Sequence, residues 1–220
     1  MKIIHISDTH GYHRELERQK KIPLADVIIH SGDVCDRGND EQVKDFLNWF
    51  SELPHKHKIL VPGNHDFYFE EKDFYVPSDV HVLIGDGIEL DGIKFWGSPF
   101  TVQEFSWAFQ FFQHDQEVHW KAVPDDTNVL ITHGGAYKGL DLDSMNLRTG
   151  DKYLKDRLAE LANLQLHLHG HIHVAHGVQN VNGLTTVNSA IADEKYKPTQ
   201  NPHFVILGEN TVMVKEVMGY

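Results

Sequence analysis

The sequence predicts an α/β fold of two packed β-sheets with helices outside, and three observations carry that prediction. In the first half, short apolar runs alternate with helix-compatible stretches, the pattern of strand, crossover helix and parallel strand. The second half turns β-rich, its short runs broken by Asp-Gly and Asn-Gly pairs that signal tight hairpins. Apolar runs in both halves end in loops carrying Asp, Asn or His, so chemistry-bearing side chains collect where strands finish.

Taken in order, Lys2 to Ile6 reads as a buried strand that leads into Ser7-Asp8-Thr9-His10. Residues 12–21 are charged and helix-compatible until Pro23 breaks the pattern. Asp26 to Ile29 is the next strand, ending in Gly32-Asp33-Val34-Cys35-Asp36-Arg37-Gly38. A helix follows, with Asn39 or Asp40 as N-cap and Val43, Phe46, Leu47 and Phe50 at helical spacing, and it stops near Leu53-Pro54. Lys58 to Val61 is the third strand. Pro62 and Gly63 end it and swing the chain over, so that Asn64, His65 and Asp66 converge instead of alternating. Three parallel strands bring Asp8, His10, Asp33 and Asn64 within reach of one another.

The middle of the chain, from Val80 to Trp96, predicts antiparallel hairpins at Asp86-Gly87 and Asp91-Gly92. From Phe100 to Trp120 aromatics accumulate, among them Phe105, Trp107, Phe109, Phe111 and Phe112, a stripe that reads as core. The strand Asn128 to Ile131 leads to His133-Gly134-Gly135. Gly150-Asp151 starts a helix with Leu154, Leu158 and Leu161 on one face, and the strand Gln165 to Leu168 delivers Gly170-His171-Ile172-His173. Two hairpins close the chain, one around Asn182-Gly183 and one around Gly208-Glu209-Asn210. No repeat or linker interrupts the pattern, so one domain over residues 1–220 is expected.

Composition narrows the function. A formal net charge of -12 argues against stable nucleic-acid binding, which needs clustered Lys and Arg. Cys35 is the single cysteine, so no intrachain disulfide forms and a reducing compartment suits the chain. No apolar run approaches bilayer length and residues 1–6 do not resemble a signal peptide, so a cytoplasmic location without membrane attachment is expected. Of the 17 histidines, His55, His57, His114, His119 and His203 carry no motif and are read as surface residues; His169 is read as structural.

Collected, the candidate ligands are Asp8, His10, Asp33, Asn64, His133, His171 and His173, all oxygen or imidazole donors without a thiolate. That set is too large for one tetrahedral zinc and suits two divalent ions, Mn, Fe, Zn or Ni with Mn favoured, sharing Asp33 as a bridge. Two such ions about 3.5–4 Å apart activate water and neutralise phosphate oxygens, so metal-assisted hydrolysis of a phosphoester is the indicated reaction.

The motifs Asp8-x-His10, Gly32-Asp33, Gly63-Asn64-His65-Asp66, His133-Gly134 and Gly170-His171-x-His173, in that order, resemble the calcineurin-like metallophosphoesterases over nearly the whole chain. Trp96-Gly97-Ser98-Pro99, Trp107-Ala108-Phe109, Asn188-Ser189-Ala190 and Asn201-Pro202 are similar to the small MPPED-type branch. The resemblance implies a four-layer α/β/β/α sandwich. It implies one metal on Asp8, His10, Asp33 and His173, and another on Asp33, Asn64, His133 and His171. It also implies that His65 faces the substrate as general acid or phosphate ligand, with Asp66 orienting its imidazole.

Gly32-Asp33-x-x-Asp36-Arg37-Gly38 also resembles the serine/threonine protein phosphatases, which implies that Arg37 contacts phosphate. The arginine those enzymes place before Gly-Asn-His is here Val61 or Pro62, and Gly134-Gly135-Ala136 replaces prolines usual in the MPPED-type branch. The expected function is hydrolysis of small phosphodiesters or phosphomonoesters, cyclic nucleotides among them. The alternatives are a catalytically silent scaffold of the same fold, a protein phosphatase or a nuclease.

Overall fold

The computed structural model describes residues 1–71, 73–102, 106–112 and 115–219, so the expectations for Phe105 and His114 lie outside the described residues. The first half runs β1 (Lys2–Ile6), α1 (His13–Arg18), β2 (Val27–His30), α2 (Asp40–Glu52), β3 (His57–Leu60) and β4 (Val80–Val82). Then come β5 (Asp86–Leu90), β6 (Ile93–Ser98), β7 (Thr101–Val102), β8 (Gln110–Phe111), α3 (Gln116–Lys121), β9 (Val129–Thr132), α4 (Lys152–Glu160) and β10 (Leu166–His169). The chain finishes with β11 (Gly177–Val181), β12 (Leu184–Asn188), β13 (His203–Leu207) and β14 (Val212–Glu216).

Two six-stranded sheets result, ordered β14-β13-β1-β2-β3-β4 and β11-β12-β10-β9-β6-β5. β1 to β4 pair in parallel, as do β6, β9, β10 and β12; the antiparallel pairs lie toward the sheet edges. Alternation along each strand divides the core. Ile3, Val27, Ile29 and Ile59 meet Phe95, Val129, Ile131, Leu166 and Leu168 between the sheets. Ile4, Ile6, Ile28 and Leu60 point the other way, toward Val43, Phe46, Leu47 and Phe50 of α2. Leu130 packs outward against Trp120 and Leu154, on the side of α3 and α4. The α/β/β/α sandwich follows, because strands buried on both faces need a helix layer outside each sheet.

Helix α2 shows how local sequence sets these layers. The Asn39 side chain accepts from the backbone N–H of Glu41 (3.0 Å) and Gln42 (3.1 Å), an N-cap worth about 1 kcal/mol. Leu53 is extended because Pro54 follows, and the helix ends there.

Two expectations need correction. Asp86-Gly87 is no hairpin: β4 pairs in parallel with β3, and the chain then crosses to the other sheet. Leu83 N–H still donates to Leu60 C=O (2.9 Å), whereas Gly85 N–H donates to Gly97 C=O (2.8 Å); Gly85 takes φ +67° at the crossing. Asp91-Gly92 does join β5 to β6. The histidines are also far from a surface population. His55 and His203 are buried, as are His5, His30, His167 and His169, because carbonyls, hydroxyls and neighbouring rings satisfy or shield the neutral imidazoles.

Candidate metal centre

Each candidate ligand stands just beyond a strand end: Asp8 and His10 after β1, Asp33 after β2, Asn64 after β3, His133 after β9, His171 and His173 after β10. The parallel strands point these ends the same way, so ligands from both sheets meet across the mouth of the sandwich. Asp8, His10, Asp33 and His171 hold φ of +52°, +41°, +59° and +68°, the left-handed region that non-glycine residues rarely enter. Strain of this kind persists only where surrounding contacts fix it, and it collects at functional sites. Close approach explains two glycines. A Cβ at Gly63 would fall 2.2 Å from an Asp33 carboxylate oxygen, and one at Gly170 would fall 2.0 Å from an Asp8 carboxylate oxygen.

The side chains form three overlapping groups joined through His10 and Asp33, the middle one being His10, Asp33 and His65. Asp8, His10 and His173 offer ligand atoms within 4.8 Å of one another, and so do Asp33, His133 and His171. His173 Nε2 lies 3.3 Å from Asp8, His133 Nε2 lies 3.3 Å from Asp33 and 2.9 Å from Asn64 Oδ1, and His10 Nε2 lies 3.9 Å from Asp33.

The tautomers suit a cation. His10, His133 and His173 each donate Nδ1–H to a backbone carbonyl, of Cys35 (3.1 Å), Ser31 (2.8 Å) and Asp193 (3.0 Å), which leaves the Nε2 lone pairs aimed inward. His10 Nε2 and His173 Nε2 face each other at 3.4 Å, a contact that two lone pairs repel and a shared cation satisfies. Without metal, protons serve instead. Burial lowers the His133 and His173 pKa values, but the charges of Asp33 and Asp8 outweigh it and push both up to about 9. Burial likewise opposes ionisation of Asp8 and Asp33, yet the same histidines hold both carboxyls well below the usual range.

Comparison with known proteins is consistent with this geometry. The model of the calcineurin-like phosphoesterases matches residues 1–175. The chain belongs to that family. Its members are phosphoric ester hydrolases that use divalent metal ions. This phosphoesterase is 32% identical over 214 residues to a UPF0046 protein of Caenorhabditis elegans, covering 86% of this chain and 69% of the relative. It is 29% identical over 233 residues to human metallophosphoesterase domain-containing protein 1, covering 93% and 70%. Its fold is that of a Thermus thermophilus crystal structure (TM-score 0.66, 14% identity, 98% of each chain) and of a dimetal phosphatase from Danio rerio (TM-score 0.59, 10% identity, 98% and 95%). Among the described residues no helix is long and apolar enough to cross a membrane.

Three further placements bear on the sequence reading, and one of them, that of Asp66, corrects it. Asp66 does not touch the His65 imidazole. Fully buried, it accepts the backbone N–H groups of Gly63 (2.8 Å), Asp33 (2.9 Å), Val34 (3.0 Å) and Cys35 (3.3 Å), and so clamps the two loops that carry Asp33 and Asn64. His65 is held instead by its Nδ1–H donating to Asp36 C=O, and its Nε2 lies 3.9 Å from Asp33. Arg37 packs over Trp107 at 5.0 Å, at the rim.

Trp107 leaves the aromatic core for the cleft. Its ring stacks on His65 at 4.2 Å, while Phe109 and Phe111 of the same stripe are buried and Phe112 is exposed. Tyr196 faces it across the cleft, 4.8 Å from the His10 ring and 5.2 Å from that of His173, at φ +55°. Nothing around Tyr196 in the sequence marks it, since its only signal is a loop conformation. Trp107 is visible as an aromatic, but its spacing cannot separate cleft wall from core.

Proposed function

We propose that this phosphoesterase hydrolyses small phosphodiesters in a cleft of about 440 Å³ whose floor holds two divalent cations. Asp8, His10, Asp33 and His173 would hold one, and Asp33, Asn64, His133 and His171 the other, with Mn the favoured ion. The observation that carries this reading is a pair of carboxylate-histidine groups, Asp8-His10-His173 and Asp33-His133-His171, linked where His10 Nε2 lies 3.9 Å from Asp33, with the Nε2 lone pairs of His10, His133 and His173 turned inward. Divalent cations bound there neutralise phosphate oxygens and lower the pKa of water.

The chain's own residues do the rest. Asn64 and the Asp33 loop fix the phosphate's approach, and the Asp66 clamp keeps them in register. His65, pinned at Nδ1, turns Nε2 to the cleft, where it gives a proton to the leaving oxygen or binds a phosphate oxygen. Trp107 and Tyr196, with Val102 and Val174, offer apolar walls to an organic group on the phosphate, a nucleoside of a cyclic nucleotide among them. Asp143 and Glu194 also line the cleft, and the one arginine described beside it, Arg37, stands over Trp107 at the rim. A diester carries one negative charge where a monoester carries up to two, so this lining favours the diester.

The test is turnover of bis-p-nitrophenyl phosphate against p-nitrophenyl phosphate by Mn-loaded protein. Diester preference is expected, and His65→Ala should retain metal while losing about 10²–10⁴-fold in turnover. Monoester preference would make the protein a phosphatase. Full activity of the variant would remove His65 from the chemistry.

A further inference from the structure

A second cluster of ligand-type side chains lies outside the cleft. His176 follows the short helical turn His173–Ala175, His203 opens β13, and Glu216 stands opposite His203 on β14. A ring nitrogen from each histidine and a carboxylate oxygen of Glu216 lie within 4.8 Å of one another. We propose that His176, His203 and Glu216 form a further binding site for a zinc-type dication, separate from the catalytic cleft.

The buried member argues for a ligand. His203 is only 1% exposed, yet its Nε2 has no hydrogen-bond partner among the described residues. Its other nitrogen is engaged, with Nδ1 2.9 Å from Ser189 Oγ. When Nδ1–H donates to that hydroxyl, Nε2 is left with a free lone pair. Burial keeps the ring neutral, with its pKa pushed down to about 3.

Asn201 arranges the other two members. Its carbonyl accepts from His176 Nε2–H (2.8 Å), which fixes that tautomer and leaves Nδ1 as the lone-pair atom. Its side-chain amide donates to Glu216 Oε2 (3.3 Å). Metal-binding histidines commonly have this arrangement, the non-ligating nitrogen donating to a fixed acceptor. Two imidazoles and one carboxylate, with a position left toward solvent, match zinc and its neighbours better than magnesium or calcium. The His176 ring now stacks on His203 at 4.7 Å with planes 27° apart.

The site is wired to the sandwich interior. Ser189 Oγ lies 2.6 Å from His5 Nδ1, His5 Nε2 lies 2.9 Å from Ser31 Oγ, and the Ser31 carbonyl holds His133 Nδ1. An ion on His203 Nε2 keeps the proton on Nδ1 and so sets the direction of Ser189 Oγ–H and His5 Nε2–H, a relay that stops at Ser31 Oγ because the Ser31 backbone carbonyl only accepts.

The experiment compares zinc content of the full chain, equilibrated at buffered free zinc, with that of His176→Asn and Glu216→Gln. Both changed side chains reach the surface, and circular dichroism verifies the fold. Each variant should lose one zinc per chain relative to wild type and part of the zinc-induced rise in Tm, with Mn-dependent diester turnover unchanged. The readout is a difference between proteins sharing one cleft, so it stands whether or not the cleft holds two ions. Equal zinc content in wild type and both variants would overturn the proposal.

Discussion

Asp66→Asn tests the view that this carboxylate clamps the loops of the metal centre. The carboxylate offers two oxygens to the N–H groups of Gly63, Asp33, Val34 and Cys35 at 2.8–3.3 Å, with no water competing because it is fully buried. Asparagine keeps one oxygen, enough for Gly63 and Asp33, and turns an NH₂ toward the N–H groups of Val34 and Cys35. Hydrogen bonds to a charged group are worth about 1.5–3 kcal/mol each, but burial and the charge of Asp33 push the Asp66 pKa up to about 6, a penalty that asparagine escapes, so losing two bonds costs about 3 kcal/mol, the low end of that range. For a chain of this size, at about 2–4 °C per kcal/mol, Tm should fall by on the order of 10 °C. Thermal and urea unfolding of the metal-free protein measure the loss directly, and Mn affinity should fall with it because Asp33 and Asn64 lose their support. A variant within about 0.5 kcal/mol of wild type, the range of ordinary surface changes, would refute the clamp.

Other outcomes follow from the same geometry. Asp33→Ala removes the carboxylate proposed to bridge the two cations, so bound metal and diester turnover should vanish together; metal analysis finding two ions retained would contradict it. Trp107→Ala opens the cleft wall stacked on His65 and should raise KM for aryl and nucleoside diesters several-fold with a smaller change for a methyl diester; steady-state kinetics decide. In the metal-free protein, His133 and His173 have pKa values of about 9 against about 6.5 unfolded, so their stabilisation is complete below about pH 6.5 and lost as pH rises through 9. Tm of the chelated protein should therefore fall between pH 7 and 10 while Mn affinity rises, since protons and metal compete for the same nitrogens. A metal-free Tm that climbs over that range would contradict this.

What the sequence disclosed is what local pattern controls. Strand ends, the Asn39 cap, the stripe of α2 and the order of the Asp, Asn and His loops are written in nearest-neighbour chemistry, and the fold follows from them. The role of Asp66 is not so written. It depends on N–H groups presented by a loop some thirty residues away, and a carboxylate next to an imidazole invites the simpler pairing. The histidines misled for the opposite reason. Neutral imidazole behaves as a buried polar group once a hydroxyl or carbonyl reaches it, and composition cannot reveal those partners. Val80 to Val82 joins the first sheet because of parallel neighbours on β3, which an Asp-Gly pair downstream does not report. Trp107 and Tyr196 became cleft walls through loop conformations, one of them at positive φ, that no periodicity encodes.

The central claim is that two cations on the Asp33 groups are needed for diester hydrolysis. The direct measurement is Mn titration of the chelated protein, following bound metal and bis-p-nitrophenyl phosphate turnover in the same samples. The account predicts negligible turnover without metal and activity that rises fully only as the second equivalent binds. Full activity at one equivalent, or undiminished turnover in the chelated protein, would contradict it.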